Sequence, residues 1–427
     1  MPSLISVAEN GLIRKATPNG GRPVLPTDVV VSDTVFDALR QLAFDAEGID
    51  GLLTFFVQKS IEYIRVSKYV GLLTLPDGTQ LEVLPKIGNG PASRIMLLRM
   101  LRYLHNGPFR AVSTANTTPT ELPLWDVFVT AFLDALETLV RQGVQRSYVA
   151  VENNERFWKG KFQANRQQRE NAQHAERLAI QYDVLTANVP PNRILKTTLL
   201  YLGQQQHSLL TRQRIRQLDW VFDEIPVSES VNDDLYAVRR NSRLFVRYET
   251  VLRWAIALLG KRGYGVKAGK TADLSLLFPM EQVFEDYVAQ GIRRFWPNAG
   301  SIMVQESSAH LVNEHIGTPK FKLRPDILIR QGERTIVLDT KWKELNGRDT
   351  TGSYGIDQRD LYQLYAYGKK YGAHDLFLVY PASETFGQPL PVFGYDADTR
   401  LHVVPFDVAV PLANEVEKLA IYALSYQ

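Results

Sequence analysis

Over residues 1–110, short apolar runs alternate with polar positions at Val29–Val31, Gly71–Leu75 and Gln80–Leu84, and a run of helical period covers Thr34–Phe44. Leu75-Pro-Asp-Gly-Thr79 has the composition of a tight turn and predicts a hairpin between the second and third of these strands. Pro85 stops the third strand, and a helix resumes over Arg94–Leu104. From Trp125 to Arg262 the period is mainly helical: Phe128, Phe132, Leu136 and Leu139 repeat on one face, as do Ile194, Leu195, Leu199 and Leu202, with Pro190-Pro191 as an interruption. Gln163–Arg177 is almost wholly polar and reads as a solvated loop or arm. Arginines gather from Arg239 to Arg253 beside Phe245, Tyr248 and Trp254, a pattern that fits a basic, aromatic helix touching phosphates but more often marks an amphipathic helix with a solvated charged face.

Beyond Val266 the pattern becomes helix (Pro279–Phe295), two strands (Leu323–Arg330, Thr335–Trp342), helix (Asp357–Tyr371, stopped by Gly372) and strand (Asp375–Tyr380). The expected class is mixed α/β. An α+β region over 1–110 precedes a helical region over 111–265, and an α/β domain with a central mixed sheet flanked by helices occupies 266–427.

Composition narrows the chemistry by exclusion. The chain has no cysteine, so disulfides, thiolate metal sites and cysteine nucleophiles are ruled out. Its seven histidines lack metal-ligand spacing, His310 and His315 included, and nothing resembles a serine nucleophile elbow. The opening MPSLISVAENGLIRK is broken by Glu9 and Asn10 before any cleavage-like site, and no stretch approaches the ~20 apolar residues of a membrane span. A cytoplasmic protein is the expectation. A net charge of +3 permits nucleic-acid binding without arguing for it. Gly263-Tyr-Gly-Val-Lys-Ala-Gly-Lys-Thr271 approaches a phosphate-binding loop, but the first glycine of that pattern should stand where Tyr264 does, so the segment reads as a linker and no nucleotide site is expected.

The informative segment is Leu323-Arg-Pro-Asp-Ile-Leu-Ile-Arg330, Gln-Gly-Glu-Arg, Thr335-Ile-Val-Leu-Asp-Thr-Lys341. Two β-branched runs flank a turn containing Gly332, which makes a hairpin. With the turn centred between Gly332 and Glu333, Arg330 pairs with Thr335 and Asp326 falls opposite Asp339; loops of two and of four residues share that centre. Opposed residues share a face with Cβ atoms ~5 Å apart, and Lys341, two residues after Asp339, shares it too. Two carboxylates that close repel each other unless a hard divalent cation joins them; Mg²⁺ typically takes one or two carboxylates and keeps several waters. Such an ion, with the Lys341 ammonium beside it, suits attack of water on a phosphodiester.

Glu285, in line with Val288 and Ile292, borders the buried face of its helix and is a third candidate ligand beside Asp326 and Asp339; Glu281 points towards solvent. On the later helix Asp360, Gln363 and Tyr367 stack along one side, with Leu361, Leu364 and Tyr365 facing inward, and Gln363 and Tyr367 are placed to orient a phosphate. An isolated Asp-Thr-Lys is common, and Pro-Asp before a strand is ordinary turn chemistry. The conjunction of opposed aspartates, a lysine on their face and a helical carboxylate is not.

Pro325-Asp326 with Asp339-Thr-Lys341 resembles the PD-(D/E)xK nuclease signature, and Gln363 with Tyr367 resembles the QxxxY element of some of its branches. Asp339-Thr-Lys-Trp-Lys343 is similar, more narrowly, to the McrC family, nuclease subunits of modification-dependent McrBC restriction systems. Leu81–Ile87, Trp158–Lys161, Tyr182-Asp183, Asn192–Lys196, and Leu277-Phe278 through Phe284-Glu285 are similar to further blocks of that family. The resemblance implies a Mg²⁺-dependent endonuclease, with one or two ions, acting on double-stranded DNA. It implies a hexameric AAA+ GTPase partner, McrB, which recognises methylated cytosine and whose GTP hydrolysis the N-terminal part of the chain stimulates. Two alternatives stay open: a regulatory GTPase-activating subunit whose nuclease site is secondary or silent, and a stand-alone RecB-like nuclease.

Overall fold

The computed structural model describes residues 4–15, 28–44, 51–75, 77–88, 91–104, 109, 123–205, 207–259, 274–298, 300–349, 352–396 and 398–425. The segment Gly263–Thr271, read above as a linker, lies outside them. The chain divides into two compact units, one made of 1–124 with 263–427 and the other of 125–262.

Among the described residues the first unit holds three larger sheets and a two-stranded ribbon. Leu4–Ala8 lies parallel to Gln80–Leu84, which forms the expected hairpin with Tyr69–Thr74; that strand in turn pairs antiparallel with Leu274–Pro279. A second sheet orders Val29–Val31, Leu12–Lys15, Ile61–Val66 and Leu53–Gln58. Val7, Ile13, Phe36, Ile64, Leu73, Leu81 and Leu277 close one core between them, with helix Asp33–Phe44 contributing Phe36. The segment expected as a separate first domain therefore shares a sheet and a core with the segment after residue 263. Gly71 permits this: at φ +126° it lies so close to the partner strand that a Cβ would meet the Leu276 carbonyl oxygen at 2.0 Å.

The third sheet is mixed and runs Ser301–Val304, Ile327–Gln331, Arg334–Thr340, Asp375–Pro381, Arg400–Phe406, Phe393–Gly394. Its central strand Asp375–Pro381 is buried along its whole length, as befits a strand paired in parallel on both sides and covered on both faces. Helix Gln358–Tyr371 covers one face, packing Leu364 and Tyr367 against Leu328, Val337, Leu376 and Leu378. It starts on an Asp357 cap and stops at Gly372 in the left-handed conformation, φ +64°. Helix Met280–Phe295 brings Phe284 and Tyr287 against Phe406 on the other face, and helix Leu412–Ser425 brings Tyr422 against Phe377. The mixed α/β class and the flanked central sheet are as expected.

The second unit is mainly helical, as expected, but also holds a sheet. Between helices Leu124–Arg141 and Pro190–Gly203 stands an antiparallel sheet of Ser147–Glu155, Leu178–Thr186 and Lys161–Phe162. Ser147–Glu155 has no buried residue, so no apolar face announces the strand. The polar run Gln163–Arg177 opens as helix Ala164–Glu170, also without a buried residue, tied by Gln167 Oε1, which accepts from the Ala179 N–H at 2.6 Å. Pro190-Pro191 begins a helix rather than interrupting one, since proline fits a first turn. In the arginine-rich stretch Tyr248 and Trp254 are buried, while Arg253 pairs outward with Glu249, which is the amphipathic arrangement.

At the end of the central sheet remote from Asp339, Asp375 is 3% exposed and accepts from Arg334 at 2.7 Å and from His402 at 3.2 Å, with Arg400 at 3.0 Å; Arg334 also donates to the Ala423 carbonyl of the last helix. Burial alone would raise its pKa, but the hydrogen bonds from His402 and Arg334 and the two guanidinium charges hold it down at about 2. A carboxyl more acidic in the folded than in the unfolded chain, where it titrates near ~4, stabilises fully above that value and loses its contribution as pH falls towards the folded value. The stability gap between wild type and Asp375→Asn, from urea midpoints, should be constant from neutrality to about pH 5 and shrink between about pH 4 and 2. A gap independent of pH over that range would show that the charge contributes nothing.

Candidate active site

The hairpin register is the one read from the sequence: Arg330 pairs with Thr335 and Ile327 with Leu338, so Asp326, one step beyond the ladder, stands opposite Asp339. Asp339 is 1% exposed and lies on the face shared with Val337, under helix Gln358–Tyr371. Lys341 follows on that face, its N–H bonded to the Val379 carbonyl at 2.9 Å. Its ammonium lies 2.7 Å from Asp339 Oδ2 and 3.7 Å from Asp360 Oδ1, and 3.5 Å from Gln363 Oε1, to which it donates. Gln363 Nε2 donates to the Tyr367 hydroxyl at 2.6 Å, which donates to the Arg324 carbonyl at 3.1 Å. A continuous chain of polar contacts thus runs from Lys341 to the residue two before Asp326. Tyr367 is buried within this chain, whereas Tyr365, expected inward, is exposed and bonds Asp396; the apolar side of the helix is centred on Leu364 and Gly368, which turns Tyr365 out.

Two partners of Asp326 and Glu285 were not legible as such. Thr340, between the aspartate and the lysine of the motif, gives Asp326 Oδ2 both its N–H, at 2.7 Å, and its hydroxyl, at 2.8 Å. One Asp326 oxygen is therefore held in place and Oδ1 is left for other work. Gln305, at φ +52°, donates to Glu285 Oε1 at 2.7 Å, accepts from Arg324, and donates its N–H to the Asp326 carbonyl at 2.8 Å. Its place after strand Ser301–Val304 carried no motif; only the three-dimensional arrangement identifies it. Glu285 is half-buried, and Glu281 is exposed as expected.

The electrostatics are those of a crowded acidic site. Burial first, then the neighbouring Asp326, raises the Asp339 pKa, and burial, then Glu285, raises that of Asp326. Glu285 is also raised, mainly by burial, against the Gln305 hydrogen bond. Lys341 moves up: burial opposes its charge, and Asp339 outweighs the burial. Asp339 Oδ2 is buried and, among the described residues, receives no hydrogen bond of ordinary geometry despite the ammonium beside it. An under-satisfied buried carboxylate oxygen next to two more carboxylates is a donor set for a hard divalent cation. Among the described residues no three acidic or histidine side chains are already grouped as a metal cage.

A cavity of about 450 Å³ lined by Arg102, Tyr103, Gln290, Arg293 and Arg294 is a different place. Gln290 and Arg294 lie about 140–180° around the helix from Glu285, and Arg293 and Arg294 sit in its last turn, where cations offset the helix dipole.

The strand end that carries Lys341 is anchored from the N-terminal sheet. The next residue, Trp342, is 7% exposed and donates its indole N–H to Glu9 at 2.6 Å, while Lys86 donates to the Trp342 carbonyl at 3.3 Å and its ammonium lies 5.8 Å from the ring centroid. Phe284, adjacent to Glu285, packs on the same ring at 5.3 Å. Burial raises the Glu9 pKa, and Trp342 and Lys86 act against that rise.

The chain matches the family described as the McrBC 5-methylcytosine restriction system component over residues 64–381. No curated protein matches. A chain of the structure described as the refined half-complex from a tetradecameric assembly of Thermococcus gammatolerans McrB AAA+ hexamers with bound McrC aligns with TM-score 0.72 at 18% identity, covering 99% of this chain and 100% of that one. A chain of the Thermococcus gammatolerans McrBC complex aligns with TM-score 0.51 at 19% identity, over 68% of this chain and 88% of that one. At such identities the likeness speaks for the fold.

Trp342→Phe keeps the ring contact with Phe284 but leaves the buried Glu9 short of a donor. The cost should be ~1–3 kcal/mol, seen as a lower urea midpoint, since an unsatisfied buried acceptor loses its full desolvation energy. An unchanged midpoint would show that the bond adds nothing to stability.

Proposed function

We propose that this chain, which belongs to the McrBC restriction-system family, is the nuclease subunit of a GTP-dependent restriction complex, hydrolysing phosphodiester bonds of double-stranded DNA. The observation that supports this reading is the cluster of Asp326, set opposite the buried Asp339 by the hairpin register, and Lys341, whose ammonium lies 2.7 Å from Asp339, with Glu285 among the charges acting on Asp326. The partner we propose is an McrB-like AAA+ GTPase, by analogy with the Thermococcus gammatolerans assembly of McrB hexamers with bound McrC, whose fold this chain shares. Stimulation of that GTPase we assign to the N-terminal part and the second unit, which lie outside the acidic cluster.

Asp339, Asp326 through Oδ1, and Glu285 are the residues that would hold Mg²⁺, which when bound supplies charge neutralisation at phosphate oxygens and a more acidic water. The rest of the chemistry belongs to side chains. The Lys341 ammonium, held by Asp339, is a point cation able to hold the attacking water or to offset charge developing on the phosphoryl oxygens. Thr340 fixes the direction of Asp326, and Gln305 that of Glu285. Gln363, tied to Lys341 at one end and Tyr367 at the other, is positioned to set the orientation of the lysine and of a phosphate beside it. Holding reacting groups in place in this way is worth several kcal/mol of barrier.

Cleavage of methylated duplex DNA should be measured with Mg²⁺ and GTP, with and without the AAA+ partner, for wild type, Asp339→Ala and Lys341→Ala. Wild type should cut only with the partner and GTP. Both variants should lose ~10³-fold or more, the equivalent of several kcal/mol of charge stabilisation, while still assembling with the partner and stimulating GTP turnover. Cutting by wild type alone would favour a stand-alone nuclease. Stimulated GTP turnover without any cutting would favour a regulatory subunit, and full activity of Lys341→Ala would remove that residue from the mechanism.

A further inference from the structure

Between edge strand Ser301–Val304 and the hairpin strand Ile327–Gln331, the chain leaves the sheet as a two-stranded antiparallel ribbon, His310–His315 with Thr318–Lys322. All five residues of the second strand are exposed, and so are four of six in the first. The ribbon is anchored at its base and one side: Leu323 donates to the Ala309 carbonyl at 2.9 Å, and Lys370 of the covering helix donates to Asn313 at 2.8 Å. A ribbon of two strands is marginal in water without something to pack on, yet this one leaves Leu311, Ile316 and Phe321 exposed by 47%, 90% and 72%. Three large apolar side chains on so small an element go beyond the scattered exposure that needs no explanation.

Charge decides what would cover them. Lys322 pairs with His310 and Lys320 with Val312 across the ribbon, and Arg324 follows at its base. Neither lysine makes an ion pair among the described residues, and Arg324 donates to the neutral Gln305, with Glu285 within reach of its charge. Glu314 is the one carboxylate on the ribbon and Glu306 lies before it. Lys322 is four residues from Asp326, within ~14 Å even if that segment were fully extended. Phosphates along one strand of B-DNA rise by ~3.4 Å each, so this lysine reaches within about four nucleotides of a phosphate seated at Asp326. The major groove, ~12 Å wide, admits a two-stranded β-ribbon.

We propose that the 310–322 ribbon is the element by which this chain grips double-stranded DNA beside the acidic cluster. Lys320 and Lys322 neutralise backbone phosphates flanking the one to be cut, and Leu311, Ile316 and Phe321 supply apolar contacts to thymine methyl groups in the major groove. The assignment rests on the nuclease reading for its substrate class and adds to it the surface that binds.

The test separates the two. Full-length wild type and Lys320→Ala/Lys322→Ala are titrated onto a short fluorescein-labelled duplex in EDTA, by fluorescence anisotropy, from about 50 to 200 mM NaCl. Loss of two phosphate contacts should lower the slope of log K against log salt by ~1.8 and weaken binding ~10-fold or more near 0.1 M. An unchanged slope, or no duplex binding by wild type, overturns the proposal. So does a dimer, seen by sedimentation, that Ile316→Ser/Phe321→Ser dissociates while the slope stays put, because the ribbon would then bind a second copy. Cleavage is scored separately: a chain that binds with the expected slope yet never cuts with Mg²⁺, GTP and partner loses the nuclease reading and keeps the ribbon.

Discussion

Antiparallel register is a discrete choice, because a slip of one residue sends every side chain of a strand to the opposite face. In the hairpin of Ile327–Gln331 with Arg334–Thr340 that choice fixes everything around the acidic cluster. The pairing of Arg330 with Thr335 buries Leu328 and Val337 under one helix and carries Asp326 and Asp339 to the same end of the same face. Shifted by one, the apolar residues of both strands would change layers and the two carboxylates would part. The hydrophobic pattern that closes the core is thus also the constraint that opposes two like charges. Burial of Leu328, Ile329, Ile336, Val337 and Leu338, all fully buried, at roughly 1.5–3 kcal/mol each, outweighs a carboxylate repulsion softened by a neighbouring lysine.

That arrangement must also be held laterally, since the strand loses its ladder at Thr340 and the motif continues past it. Lys341 is pinned through its backbone to Val379, and Trp342 is locked by Glu9, Lys86 and Phe284. The residues around the acidic cluster therefore draw support from the N-terminal sheet, some 250 residues upstream. The same dependence explains why 1–124 and 263–427 form one unit: strand Leu274–Pro279 completes the sheet of Tyr69–Thr74 before the chain enters helix Met280–Phe295 with Glu285.

What could be read in advance follows from the range of the interactions involved. The Asp326–Asp339 opposition was legible because a hairpin is local and its turn fixes the count. The helices bearing Glu285 and Gln363 were legible from their period, and Gly372 from its role as a stop. The Glu9–Trp342 bond spans 333 positions and leaves no periodic trace. Gln305 sits in a strained turn whose meaning depends on what lies across it, and the sheet of the second unit buries no face of strand Ser147–Glu155, so the alternation that betrays a strand is missing. Tyr365 was misplaced for a related reason: at a helix border, one residue of rotation decides between core and solvent, and the neighbouring strands set that rotation.

The central sheet also offers its own control for the meaning of a buried aspartate. Asp375 and Asp339 stand on adjacent parallel strands, at opposite ends, and both are almost inaccessible to solvent. Asp375 is met by two guanidiniums and an imidazole, its acidity increased, and one of those guanidiniums ties down the last helix. This is what the fold does when a carboxylate serves structure: it surrounds the charge with donors until the ionised form is favoured. Asp339 is given one ammonium, two carboxylate neighbours and an oxygen lacking an ordinary hydrogen bond, and its acidity is reduced. The cluster at Asp339 is kept short of positive charge at one end of a sheet whose other end shows the fold able to supply it, and this supports the proposal that Asp339 holds a cation. That contrast argues for chemistry at Asp339 more directly than the spacing of any motif.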